Sequence, residues 1–242
     1  MRMAARSVVL SVLLGAHPAR ATSAELLDLT AGFGIKDATL RVALTRMVSA
    51  GDLVRSGDGY RLSARLLARQ RRQDAALHPV TRDWESRWLT VVVTAVGADA
   101  RSRSKLRTAL QENRFGELRE GVWMRPDNLA DGVPAETVGR VRVLQSCDDA
   151  PAELAARLWN LPCWADIGRR LLREMDAADG IPGRFSVAAG MVRHLLTDPV
   201  LPEELLPPDW PADRLRAAYA DFAAMLATRR ETPRATDRVE AP

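Results

Sequence analysis

The segment from Lys36 to Leu62 constrains this chain more than any other. Between Lys36 and Ala50 the apolar residues Leu40, Ala43, Leu44, Met47 and Val48 recur at i, i+3, i+4, i+7 and i+8, one buried stripe along a helix. Gly51 stands where a helix C-terminal glycine belongs. The run Leu53 to Leu62 then places two short strands around Ser56-Gly-Asp-Gly59, a hairpin. Upstream, residues 6–17 read as a helix stopped at His17-Pro18. Ser23 reads as the N-cap of a short helix through Leu29, with Glu25 in its first turn. Ala31-Gly-Phe-Gly34 makes the turn into the next helix. Three helices closed by a hairpin predict a winged helix-turn-helix.

Charge supports a polyanion as the partner of this segment. Residues 1–80 carry twelve arginines and lysines against six acids, a net +6, while the whole 242-residue chain carries +4. The remaining 162 residues therefore sum to −2, so a basic head sits on a slightly acidic body. The start of the chain also imitates a secretory leader: Arg2 and Arg6, the apolar run Ser7 to Gly15, then Ala19-Arg-Ala21. Read as a leader, it would make the chain a secreted protein. The reading preferred here is the first helix of the helix-turn-helix, which the next thirty residues need as a packing partner. No stretch approaches the ~20 apolar residues of a membrane span, and a cytoplasmic location is expected.

With the Leu40–Leu44–Met47 stripe turned inward, Ala38, Arg41, Val42, Thr45 and Ser49 fall on the opposite face, flanked by Arg46. Arginine pairs bidentately with guanine in the major groove, and a small hydroxyl meets a base edge or phosphate. Lys36 and Thr39 lie near the helix N-terminus, the end that faces groove or phosphate. Arg55 and Arg61 flank the hairpin and would meet phosphate or the minor groove. A solvated helix face and a cross-strand arginine pair are the bland readings of the same residues. The expected DNA-contact set is Lys36, Thr39, Arg41, Thr45, Arg46, Arg55 and Arg61.

Beyond the hairpin, residues 63–77 read as a basic helix with Arg65, Arg69, Arg71 and Arg72, ended by His78-Pro79. A second unit begins at Trp84. Trp88 to Val96 is β-prone, residues 102–113 read as helix, and Phe115–Leu118, Gly121–Arg125 and Arg140–Leu144 read as extended. This succession suggests a small ferredoxin-like α+β domain. From Pro151 the chain reads as helical, broken at Pro162, Gly180–Gly183, Pro199–Pro202 and Pro207–Pro211. The expected class is therefore α+β multidomain. Its parts are a winged helix-turn-helix over 1–78, a central ferredoxin-like domain over 79–148, a C-terminal helical domain over 149–230 and a disordered tail over 231–242.

Catalytic readings find little support. His17, His78 and His194 are scattered, two of them before prolines, and the Asp176, Asp179, Asp198 and Asp209 set lacks metal-ligand spacing. No HExxH, GxSxG, glycine-rich phosphate loop or CxxC is present. Cys147 and Cys163 fit neither a zinc site nor a disulfide framework, and Cys163 beside Trp164 reads as a buried thiol. Neither catalytic nor metal-binding residues are expected, and no cofactor. Most of the tryptophans Trp84, Trp88, Trp123, Trp159, Trp164 and Trp210 read as core or interdomain anchors. A subset lining an apolar effector pocket is the other reading.

Several stretches together resemble the PaaX-type transcriptional regulators. Thr39-Leu-Arg-Val-Ala-Leu-Thr-Arg46 followed by Gly51 resembles their recognition-helix signature, and Trp84-Glu-Ser-Arg-Trp-Leu89 the entry to their central domain. Phe115-Gly-Glu-Leu-Arg-Glu-Gly-Val-Trp-Met-Arg-Pro126 is similar to the most distinctive stretch. Leu158-Trp159 and the run Asp198 to Pro211 are similar to their C-terminal motifs. The likeness runs from about residue 6 to 225.

It implies a dimeric, phenylacetic acid degradation repressor-like protein with a winged helix, a ferredoxin-like centre and a helical C-terminal domain. The best-known members are released from operator DNA by phenylacetyl-CoA, so an acyl-CoA or aromatic acid is the implied effector. The central domain of that family is similar to CRISPR-associated spacer-acquisition nucleases. Here the strand Val91 to Val96 runs on to Gly97-Ala-Asp99, with no acid at the strand's end where those nucleases use one. The expectation is a homodimeric DNA-binding regulator of a catabolic operon. A metal-dependent nuclease built on the central domain is the alternative.

Overall fold

A computed structural model describes residues 4–95, 97 and 99–231 of the chain. The expected tail, apart from its first residue, and Val96 of the expected long strand lie outside the described residues. The chain divides into two compact units. One comprises residues up to 74 with 172–192 and the segment from 216, and the other residues 75–171 with 193–215. Both hold helices and a small antiparallel sheet, so the class is α+β.

In the first unit, α1 (Ala5–Leu14) precedes β1 (Arg20–Thr22), α2 (Ser23–Ala31), α3 (Asp37–Ser49), β2 (Leu53–Ser56), β3 (Gly59–Leu62) and α4 (Ala64–Leu77). Seven of the ten residues of α1 are buried, Val8, Val9 and Leu13 completely. A helix that is apolar over most of its circumference, with only Arg6 and Ser7 exposed, belongs at the centre of a unit. This is why its sequence imitates a secretory leader. The apolar stripe of α3, Leu40, Leu44 and Met47, closes the same core with Leu26, Leu53, Leu62 and Leu66. After α3 the chain reverses through Gly51 at φ +69°, a left-handed conformation that a side chain disfavours.

Two local expectations need correction. Ser23 is not the N-cap of α2: Thr22 is. The Thr22 hydroxyl accepts from the Glu25 amide at 3.1 Å while the Glu25 carboxylate accepts from the Thr22 amide at 2.6 Å, a reciprocal capping box. Ser23 is turned to the hairpin instead, donating its hydroxyl to Asp58 O at 2.9 Å. The sheet also has three strands rather than two, in the order β1-β3-β2. Three residues show no alternation to read, which is why β1 escapes a pattern search.

Two polar residues fix the helices. Asp52, almost completely buried, binds Arg6 of α1 at 2.8 Å and Arg65 of α4. Gln70 of α4 is buried and donates its amide to the carbonyls of Leu14 (3.2 Å) and Ala16 (2.8 Å). These are acceptors that the C-terminus of α1 cannot satisfy within its own helix. Farther along the chain but in the same unit, Phe33 meets Phe185 edge-on at 5.0 Å, and Phe185 meets Phe222 at 6.2 Å.

The second unit is built on β4 (Trp88–Val93), α5 (Ala100–Glu112), β5 (Gly116–Arg119), β6 (Val122–Pro126) and β7 (Val141–Ser146). The strands pair antiparallel throughout in the order β5-β6-β4-β7. The β-prone run pairs only as far as Val93, because Arg140 O then takes the amides of both Thr94 and Ala95. Leu106 and Leu110 of α5 cover Val91, Phe115 and Trp123. Trp88 and Met124 form a second core with Leu154, Ala155, Leu161, Leu201 and Leu205. Leu154 and Ala155 belong to α6 (Pro151–Leu158).

Between β6 and β7 the connection contains a short 3₁₀ turn, Ala135–Thr137. It is held by Arg125, fully buried over the Phe115 ring at 4.9 Å, which donates to Asp131 O and Gly132 O. Burial pushes the Arg125 guanidinium down to about 10, so it stays charged at neutral pH.

The helices α7 (Leu161–Ala177), α8 (Gly180–Leu195) and α9 (Ala212–Glu231) complete the chain. Cys163 is exposed, contrary to the buried thiol expected from its neighbour. The first turn of α7 sends Trp164 and Ala165 inward and leaves Cys163 on the solvent side. Trp164 lies in a column of rings, stacked on His194 at 4.1 Å and on Trp210 at 4.4 Å.

His194 makes a 2.9 Å hydrogen bond from Nε2 to Trp164 O. Burial holds its imidazole below the usual histidine range, against the opposing pull of that carbonyl and of Asp198. The unfolded chain therefore binds a proton at pH values where the folded chain does not, and stability drains away as pH falls below about 6.5. A His194→Gln variant should show a flatter dependence of Tm on pH than the parent between roughly pH 7.5 and 5.5. Parallel profiles would mean His194 titrates alike in both states.

Candidate nucleic-acid interface

The burial of Leu40, Leu44 and Met47 decides what α3 presents to solvent. Ala38, Thr39, Arg41, Val42, Thr45, Arg46 and Ser49 are all exposed, and so is Lys36 at the N-cap position. At 100° per residue, Arg41 and Arg46 stand about 140° apart, one on each flank of this face. Thr45 lies on the Arg41 flank and Thr39 on the Arg46 flank. Val42 occupies the middle and is 51% exposed. A large apolar side chain so open at the centre of a polar face is an unfavourable place for it in water. It is well placed to meet a thymine methyl.

The Thr45 hydroxyl is already committed as a donor, to Arg41 O at 3.0 Å. Its lone pairs remain, so toward a base edge it acts as an acceptor, suited to the amino groups of adenine or cytosine. Lys36 makes no side-chain cap on α3, and Asp37 is the acid of the first turn.

The hairpin does not bring Arg55 and Arg61 together. Arg55 pairs in register with Tyr60 and holds its guanidinium 5.7 Å from that ring, on the face that includes the buried Leu53–Leu62 pair. Arg61 pairs with Val54 on the opposite face. The two-residue Gly57-Asp58 turn fixes this register, so the period of two already separates these arginines in the sequence. On the outer face, Arg61 instead lies directly across from Arg20 of β1, and both are exposed. Arg20 and Val42 are exposed residues of these two faces that the sequence-derived contact set does not include.

The basic excess is not uniformly available. Arg6 and Arg65 are occupied by Asp52, whereas Lys36, Arg41, Arg46, Arg55 and Arg61 are all exposed. In the other unit, the acid following β4, Asp99, caps α5 by accepting from the Ser102 amide at 2.8 Å. That bond and the Ser102 hydroxyl hold its carboxyl below the usual range. Among the described residues, no three histidine, cysteine or acidic residues stand close enough to hold a metal, and no helix is long and apolar enough to cross a membrane.

Comparison with known proteins places these features. Residues 4–66 match the family described as PaaX-like protein, residues 81–146 the PaaX protein central Cas2-like domain, and residues 166–232 the PaaX-like protein C-terminal domain. The solved structure of the uncharacterised protein Rv0674 from Mycobacterium tuberculosis is similar, with 65% sequence identity and a TM-score of 0.84 over 94% of this chain and 97% of that one. No curated protein is similar at a significant level. Three consecutive family matches spanning most of its length make this chain a member of the family of PaaX-like regulators.

Proposed function

We propose that the protein is a cytoplasmic, homodimeric transcriptional repressor. Its first unit is a winged helix-turn-helix that reads operator DNA with α3. The observation that carries this reading is the exposed face of α3, where Val42 lies open between Arg41 and Arg46 above a tightly closed core. Arg41, Val42 and Thr45 address base edges. Lys36 and Thr39 lie at the helix N-terminus, and Arg46, Arg55 and Arg61 meet phosphate.

The consecutive family matches support domains over 1–78, 79–148 and 149–230. The strand order β5-β6-β4-β7 supports a ferredoxin-like centre. Its edge strand β7 leaves Val143 and Leu144 more than 40% exposed, and an open edge of this kind is suited to self-association. An acyl-CoA or aromatic acid binding the dimer would shift it from its DNA-competent spacing and release the operon.

A salt titration of binding to the chain's own upstream intergenic DNA, against a scrambled duplex, tests the reading. Specific binding should exceed non-specific by at least about 10³-fold at physiological salt, with a salt slope reporting several phosphate contacts. Equal weak binding to both would overturn it. Arg41→Ala should cost about 1–3 kcal/mol on the cognate site and little on random DNA. Equal losses on both would remove Arg41 from base readout.

A further inference from the structure

The midline of the outward face of α3 is not polar throughout: Ala38 and Val42 stand there one turn apart, at i and i+4. Val42 is the exposed large apolar residue of this helix. Its two methyl groups branch at Cβ, so within a helix the side chain keeps one strongly preferred rotamer. It has little conformational freedom to lose on contact and cannot swing aside from what approaches it. Its polar neighbours leave it open. Arg41 and Arg46 diverge to the two flanks, and the Thr45 hydroxyl bends back to Arg41 O at 3.0 Å.

A protein docking on α3 would need a broader apolar patch than one valine among cations. The exposed Lys36, Arg41 and Arg46 around it complement the phosphates of a duplex instead. A fixed apolar knob in the major groove selects by what it covers. Guanine presents N7 and O6 there, adenine N7 and an amino group, and cytosine an amino group. Covering these with methyl groups strips their water and returns no hydrogen bond. Thymine presents an apolar group beside its O4, the methyl on C5.

We infer that Val42 is a specificity-determining residue that reads the C5 methyl of a pyrimidine in the operator. The recognised feature is the methyl group itself, so 5-methylcytosine satisfies Val42 as thymine does. The inference rests on the reading of α3 as the helix in the operator groove, and it names the chemical group that this helix selects. Uracil supplies the probe, because it pairs with adenine as thymine does and lacks only that methyl. Each thymine of the upstream duplex would be replaced in turn by uracil. Binding of the full chain and of its Val42→Ala variant would then be measured by fluorescence anisotropy. Alanine is the best helix former and Val42 belongs to none of the packed clusters, so the variant keeps the fold.

At one thymine of each half-site, uracil should weaken binding by the parent about fourfold, the worth of one buried methyl. The Val42→Ala variant should bind the thymine and uracil duplexes at that position alike. At the same position, 5-methylcytosine should bind the parent more tightly than cytosine, by a similar factor. A specifically bound duplex that tolerates uracil at every position would overturn the inference and leave the DNA reading standing. A uracil penalty of the same size in Val42→Ala would also overturn it, since the methyl would then act through DNA shape or another side chain. Equal binding of cytosine and 5-methylcytosine would remove the methyl as the recognised group. Absence of specific binding to any duplex would sink the DNA reading and this inference together.

Discussion

A Val42→Glu variant is expected to lose specific operator binding by at least about 100-fold while keeping the parent's Tm within about 1 °C. Val42 is 51% exposed at the centre of the outward face of α3 and belongs to none of the packed clusters. A glutamate is a good helix former, so neither propensity nor packing opposes the change. The effect falls on the complex. In the proposed complex a carboxylate at that position would face the phosphate-rich groove, and like-charge juxtaposition across an interface costs several kcal/mol. Electrophoretic mobility shift beside a thermal melt separates the two quantities. Unaltered binding by a folded variant would take α3 out of the groove, and with it the assignment of Arg41 and Thr45.

The largest loss of stability is expected from Gly59→Ala, about 2–3 kcal/mol. A methyl group built on Gly59 would stand 2.7 Å from Thr22 Cα and 2.8 Å from the Ala21 carbonyl carbon, which are backbone atoms that no rotamer change can move. The strand β1 must shift, and Arg20 and the Thr22–Glu25 capping box move with it. Gly57→Ala two residues earlier is the control. That glycine has φ +59° and open space around it, so the change carries only the cost of the left-handed conformation, about 1 kcal/mol. Chemical denaturation should rank the pair clearly. Equal losses would mean β1 is not held against β3 in solution.

These two residues show where the sequence is legible and where it is not. The helix α3 could be read because periodicity reports one face of one helix, and everything opposite the stripe follows from it. Gly59 could be read only as a turn residue, because its reason is the approach of β1, a strand of three residues from a distant part of the chain. The same limit hides Arg20, whose interest lies in facing Arg61 across that strand pair. The separation of Arg55 from Arg61 was accessible in principle from the two-residue turn. Thr45 shows another limit: its position on the face is a matter of counting, but its bond to Arg41 O depends on a rotamer. Cys163 misleads because a neighbouring tryptophan says nothing about which way the next side chain of a helix points.

Gln70 bears on where the N-terminal segment of the first unit can be cut. The family likeness of the first segment stops at residue 66, four residues before Gln70 delivers its amide to the carbonyls that close α1. The opening helix of the chain thus borrows its last hydrogen bonds from a side chain more than fifty positions downstream. A fragment cut where the likeness ends would leave the most deeply buried helix of the unit with frayed, thirsty carbonyls. A fragment that keeps these bonds must carry α4 along, and α4 is also the segment through which the chain continues to the second unit.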